Sequence, residues 1–270
     1  MRQLKSSAEN LKELFASAIT VKHIAEPLAS FDETSPANAV HQFVDWADFD
    51  LIGVRSDGQV CGYARREDLD GGCLGDHLHP IEDDQTLVET ASIPQVMRIL
   101  KDFPACFVTL LGQVGGIVTR GDQQKAPVRM WLFGLITLLE MQMLRVVKLR
   151  YPRDNWQALL NQERLSEARC MFQKLRAGNQ ELGLADCLQF CDKRDIILTT
   201  DDLWPRFEFA SKGSGERLLR KLEKLRNELA HAQDILEGRW PELLDLAEYA
   251  ERTLQAAERI TETQSQEPMP

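Results

Sequence analysis

The chain has 270 residues, 43% of them hydrophobic, which is enough for real cores and for two domains of ~100 to 200 residues. Its 42 Asp and Glu outweigh 32 Lys and Arg, giving a formal charge of -10. That excludes a protein coating nucleic acid with its whole surface and leaves room only for a local basic patch. The longest apolar run, residues 130–139, stops at Glu140 and is too short for a bilayer, so no membrane span is expected.

Residues 1–10 are polar and lack the apolar stretch of a secretory leader. Six cysteines, at 61, 73, 106, 170, 187 and 191, form no CxxC pair, and a reducing cytoplasm is the expected compartment.

The first half of the chain contains an internal repeat. At an offset of 54 residues, Phe49, Val54, Gly58, Gln59, Val60, Gly62, Arg66 and Asp68 align with Phe103, Val108, Gly112, Gln113, Val114, Gly116, Arg120 and Asp122. The pattern predicts a helix over 37–46 and strands over 51–55 and 58–64 in the first copy. In the second copy it predicts a helix over 94–101 and strands over 105–110 and 112–118, the last running into a helix. Between the copies, His77 and His79 stand beside Asp76, Glu82, Asp83 and Asp84 and read as a polar connector rather than a metal site.

The end of the second copy is Gly116-Ile117-Val118-Thr119-Arg120-Gly121-Asp122. A doubled β-α-β-β-α unit ending this way resembles a cystathionine-β-synthase (CBS) domain pair, a module that commonly senses adenine nucleotides. The resemblance covers roughly residues 15–140. It implies that Thr119 contacts phosphate and that Asp122 accepts hydrogen bonds from ribose hydroxyls, for which an acceptor-only carboxylate is suited. The first copy keeps Asp68 but has Arg65 where Thr119 stands. Arg65 either pairs with a phosphate or fills the pocket, and both Asp residues also suit helix N-capping without any ligand.

Beyond residue 125 the strand signals stop. Trp131, Leu132, Leu135, Leu138, Leu139, Met143, Val146 and Val147 predict one long helix to about Arg150, ended by Tyr151-Pro152. Helices are then expected from 156 to 175, 184 to 196, 215 to 236 and 241 to 260, and a polar, disordered tail over 261–270. Cys187 and Cys191 share a helical face and read as two buried thiols; Asp and Lys in the 186–195 segment are expected in exposed pairs.

The segment Arg226-Asn227-Glu228-Leu229-Ala230-His231 places a guanidinium and an imidazole close together on a helix. Leu218, Leu222, Leu225 and Leu229 form an apolar stripe, and Arg226 and His231 lie roughly 140° apart around the axis. From 212 to 226 the chain carries Lys212, Arg217, Arg220, Lys221, Lys224 and Arg226 against Glu216 and Glu223, so Arg220 and Lys224 are expected to contact RNA. An ordinary solvated helix face has the same composition.

The hexapeptide resembles the HEPN superfamily, many of whose members are metal-independent ribonucleases assembled across a dimer. In that pattern Arg226, Asn227 and His231 are the catalytic set, and no metal is needed.

The expected fold class is therefore α+β. A CBS pair (Bateman module) over 1–125, with repeats of about 15–70 and 80–125, precedes an all-α, up-and-down, HEPN-like helical bundle over 126–260. The two resemblances together imply a nucleotide-regulated endoribonuclease, toxin-like or RNA-processing, leaving 2′,3′-cyclic phosphate ends. An adenine nucleotide is its regulatory ligand. The expected partners are a second copy of the chain, RNA, and an antitoxin or other regulatory protein. The alternative is a non-catalytic ligand-sensing and dimerisation protein.

Overall fold

In the computed structural model the described residues are 13, 15, 17–47, 49–178, 182–231, 233–235 and 240–266. They fall into two units, Met1–Trp131 and Leu132–Pro270.

The first unit is built on two tight hairpins whose turns both take positive φ, at Asp57 (51°) and Gly58 (79°) and at Leu111 (51°) and Gly112 (83°). This backbone twist suits two-residue connections between antiparallel strands. The strands are β1 (Glu26–Pro27), β2 (Ser30–Asp32), β3 (Leu51–Ser56), β4 (Gln59–Arg65), β5 (His79–Pro80), β6 (Thr86–Val88), β7 (Ala105–Leu110) and β8 (Gln113–Thr119). They form two four-stranded sheets, ordered β2-β3-β4-β5 and β1-β8-β7-β6. The repeat extends to detail: both hairpins shift register at the same place, between Val54 and Arg55 and between Val108 and Thr109.

The two copies trade their leading strands. β1, at the head of the first copy, pairs antiparallel with β8 of the second, and β5, at the head of the second, pairs antiparallel with β4 of the first. The stretch around His77 and His79, expected to be a connector, thus supplies a sheet edge.

Helix α1 (Ala37–Ala47) places Ala37, Val40 and Val44 against Ile52, Val54 and Ala64. Helix α2 (Ile93–Asp102) buries Ile93, Val96, Met97 and Leu100, the i, i+3, i+4, i+7 face. Its start is fixed by Pro94 and by Ser92, whose backbone N–H donates to Gln95 Oε1 at 2.8 Å. A separate core of Leu28, Tyr63 and Phe107 forms between the sheets, with the Tyr63 and Phe107 rings 5.2 Å apart.

Helix α3 (Ala126–Arg150) begins in the first unit and continues into the second. Among the described residues it is long and apolar enough to cross a membrane by length and composition, with half of that stretch buried inside the protein. The ten-residue run read in the sequence is only part of it. Glu140, which interrupts the run, is itself drawn inward by an ion pair with Lys193.

The remaining helices are α4 (Gln162–Arg176), α5 (Phe190–Thr199), α6 (Lys212–Ala230) and α7 (Trp240–Gln266), joined by 3-10 turns at Asn155–Leu159, Leu184–Cys187 and Trp204–Phe207. Two expected helices therefore begin later than the sequence suggested. Asn161 caps α4 by accepting from the Arg164 N–H at 2.9 Å, and α5 starts only at Phe190. The expected tail is also corrected: α7 runs to Gln266 with Thr261 buried, while 267–270 lie outside the described residues.

The segment 186–195 differs most from its expected exposed pairs, for Asp192, Lys193 and Arg194 are all buried. Successive helical residues point about 100° apart, so three in a row reach three neighbours. Asp192 takes a two-pronged pair from Arg164 of α4 (2.8 and 3.0 Å), Lys193 meets Glu140 of α3 (2.7 Å), and Arg194 meets Glu223 of α6 (3.1 Å). Burial raises the thiol pKa of both Cys187, which is buried, and Cys191, which is half-buried.

Candidate functional site

The first unit holds a cavity of about 950 Å³. Its walls come from both copies: Glu26 and Leu28 from the leading segment, Phe49, Asp50, Arg65 and Arg66 from the first, and Pro104, Ile117, Thr119, Arg120 and Asp122 from the second. Arg65, Thr119 and Asp122 thus share one cavity, because equivalent strand ends of the two copies open towards each other. Asp68 is not among the lining residues; its Oδ2 lies 2.7 Å from His79 Nε2, and the His79 ring stacks on Tyr63 at 5.3 Å.

Thr119 ends β8 and Asp122 turns back to cap it. Asp122 Oδ2 accepts the Thr119 backbone N–H at 2.6 Å and its hydroxyl at 3.2 Å. The chain leaves β8 through a 3-10 turn, Arg120–Gln124, and not through the helix expected there; α3 begins at Ala126. A helix N-terminus consequently does not sit at Thr119. Asp122 Oδ1 is engaged as well, 2.8 Å from Lys125 Nζ. Lys125 donates in addition to the Ile24 carbonyl at 2.6 Å and to Glu26. Burial lowers the Lys125 pKa, but hydrogen bonds with Asp122 and Glu26 outweigh this and raise it overall.

Among the cavity cations, Arg66 is held by Asp50 at 2.6 Å and Arg120 donates to the Leu100 carbonyl at 3.3 Å. Arg65 is the more available: its ion-pair partner Glu67 is 3.8 Å away, and a hydrogen bond with Tyr63 raises its pKa further. A cavity of this size is in the range of small-ligand sites. A half-exposed guanidinium, Arg65, and a carboxylate, Asp122, lining one cavity fit an anionic group and a polyhydroxyl group respectively. Lys125 and Glu26 carried no expectation from the sequence, and His79 was expected only in a connector. An acid–base pair three residues apart was a signal for Lys125; His79 and Glu26 gave none, because only strand exchange brings them in.

In the second unit, α6 buries Leu219, Leu222, Leu225 and Leu229, so the stripe uses Leu219 in place of Leu218. Asn227 is exposed, and His231 is the exposed C-terminal cap of α6, its N–H bonded to the Asn227 carbonyl at 3.1 Å. Arg226 turns the other way, its Nη2 3.8 Å from Glu140, with Nε buried and unpartnered. The local basic excess is largely matched by carboxylates. Lys212 meets Asp201 (2.6 Å), Arg220 meets Glu216 (2.8 Å), Lys221 meets Glu242 (2.8 Å) and Lys224 meets Glu228 (3.6 Å).

No family model matches the chain, and no curated protein does. Solved structures similar to it are CBS-domain pairs covering about 40% of its length. The CBS-pair protein CBSX2 from Arabidopsis thaliana is 19% identical over 42% of this chain and 94% of its own, with a TM-score of 0.35. The CBS domain of a bacterial CNNM/CorC family Mg2+ transporter in complex with ATP is 15% identical over 42% of this chain and 89% of its own, with a TM-score of 0.35. Hypoxic Response Protein I with two coordinated zinc ions is 17% identical over 38% of this chain and 94% of its own, with a TM-score of 0.33.

Proposed function

We propose that the first unit is a regulatory module that binds an adenine nucleotide in the cavity between its two copies. The observation carrying this reading is the convergence of Arg65, Thr119 and Asp122 on one cavity. Arg65 takes phosphate oxygens, and Asp122, held in place by the Thr119 N–H and hydroxyl, takes ribose hydroxyls. A ligand binding only the folded protein at 100 times its Kd adds about 2.7 kcal/mol, so AMP, ADP and ATP are tested by thermal denaturation. Asp122→Asn should abolish the shift and Asp68→Asn should preserve it, since Asp68 is turned to His79. Absence of a shift with all three nucleotides refutes the reading.

For the second unit we propose metal-independent endoribonuclease activity, supported by the spacing of Arg226, Asn227 and His231 and by the exposure of the last two. His231 withdraws the proton as a ribose 2′-oxygen attacks the adjacent phosphorus. The 5′-oxygen then leaves, taking up a proton, and a 2′,3′-cyclic phosphate remains. Arg226 stabilises the charge on phosphorus, and a homodimer brings the Arg226 of one copy to the His231 of another.

The pairing of Arg226 with Glu140, and of the surrounding lysines and arginines with carboxylates, favours a second reading in which this unit is a non-catalytic output and dimerisation element. Incubation with RNA in EDTA, with and without nucleotide, separates the two.

A further inference from the structure

An ionised carboxylate offers about four acceptor positions. At Asp122 three of them are filled: Thr119 N–H and Thr119 hydroxyl on Oδ2, and Lys125 Nζ on Oδ1. A vicinal diol needs two. The donors from Thr119 belong to the backbone cap that shapes the end of β8, whereas Lys125 sits on a flexible stem. Lys125 also has other acceptors for its ammonium, in the Ile24 carbonyl and Glu26.

The main chain of Lys125 has a different task. Its extended backbone (φ -62°, ψ 146°) makes it the N-cap of α3, and its carbonyl accepts the N–H groups of Val128 at 3.1 Å and Arg129 at 3.2 Å. One residue therefore joins the cavity carboxylate, through its side chain, to the first turn of a helix that runs to Arg150.

We propose that Lys125 is an internal competitor for Asp122 and the transmitter of ligand occupancy. A ribose diol displaces its ammonium from Asp122, leaving it on Glu26 and the Ile24 carbonyl that it already touches, and the loss of the Asp122 anchor loosens the start of α3. The inference rests on the nucleotide reading of the cavity and adds to it the route by which binding leaves the site.

The test is calorimetry and hydrogen exchange on the full chain with AMP and 2′,3′-dideoxy-AMP. Lys125→Met should bind AMP about tenfold more tightly, within the roughly 5- to 150-fold range of coupled sites, while its affinity for the dideoxy ligand stays at the wild-type value. Glu26→Gln, which keeps the Lys125–Asp122 pair but removes the anionic landing place, should bind AMP more weakly than wild type. In the wild-type protein AMP should speed amide exchange over 126–129, and in Lys125→Met that exchange should already be fast without ligand. An unchanged ratio of AMP to dideoxy affinity in Lys125→Met, with AMP still bound, overturns the competitor role alone. Failure of AMP to bind wild type and both variants overturns the nucleotide reading and this inference with it.

Discussion

Lys193 Nζ lies 2.7 Å from Glu140 Oε1, joining the middle of α3 to α5 inside the helical unit. Only 6% of the Lys193 side chain and 21% of the Glu140 side chain are exposed, and Arg226 approaches the second oxygen of the same carboxylate. Removing one member of a buried pair strands the other without compensation. Glu140→Gln should therefore cost about 3 kcal/mol, and adding Lys193→Met should recover at least about 1 kcal/mol of it. Urea denaturation of both variants checks the order; a double variant less stable than the single one contradicts it.

The two hairpin turns are equivalent in backbone but not in residue. Asp57 and Leu111 both sit at φ 51°, and Leu111 is fully exposed. A branched side chain gains nothing there, whereas Asn and Asp tolerate this conformation. Leu111→Asn should stabilise the first unit by about 0.5 to 1 kcal/mol, raising its Tm by about 2 to 4 °C.

Burial pushes the Cys106 thiol up to about 12. Since the folded value exceeds that of the unfolded chain, the neutral thiol's contribution is fully present below pH ~8.5 and is lost as pH rises from there towards 12. At pH 10 the loss is about 2 kcal/mol, and Cys106→Ala should flatten that part of the stability profile. Cys61, Cys73 and Cys170 are exposed and should react with a thiol reagent in the native protein, with Cys106 reacting only on unfolding.

His231 is exposed at the end of α6, so His231→Ala should change stability by well under ~1 kcal/mol while abolishing EDTA-resistant RNA cleavage. Arg226→Ala should abolish cleavage too but lower stability, because Glu140 loses a partner. If the site is shared between copies, mixing the two variants restores part of the activity; mixed variants that remain inert, alongside an active wild type, exclude the shared site.

The repeat was legible because its identities recur at a fixed offset, and the turns because Gly58 and Gly112 mark places where φ is positive. Helix α3 could be read almost to the residue, since its buried face recurs with helical periodicity over many turns. The ends of α4 and α5 were less legible: apolar residues continue through the preceding 3-10 turns, and periodicity does not separate the two kinds of helix.

Sequence by itself determined the local elements, the doubling of the first unit and the residue types offered at each strand end, all of which depend on near neighbours. Tertiary structure alone decided which carboxylate meets which cation across separate elements. The exchange of β1 and β5 brought Glu26 to Lys125 and His79 to Asp68, and the packing of α5 among α3, α4 and α6 turned an exposed-looking charge run into a buried network. Ion pairs reward short distance and shared burial, and both are set by which elements pack together, a property no single stretch of residues carries.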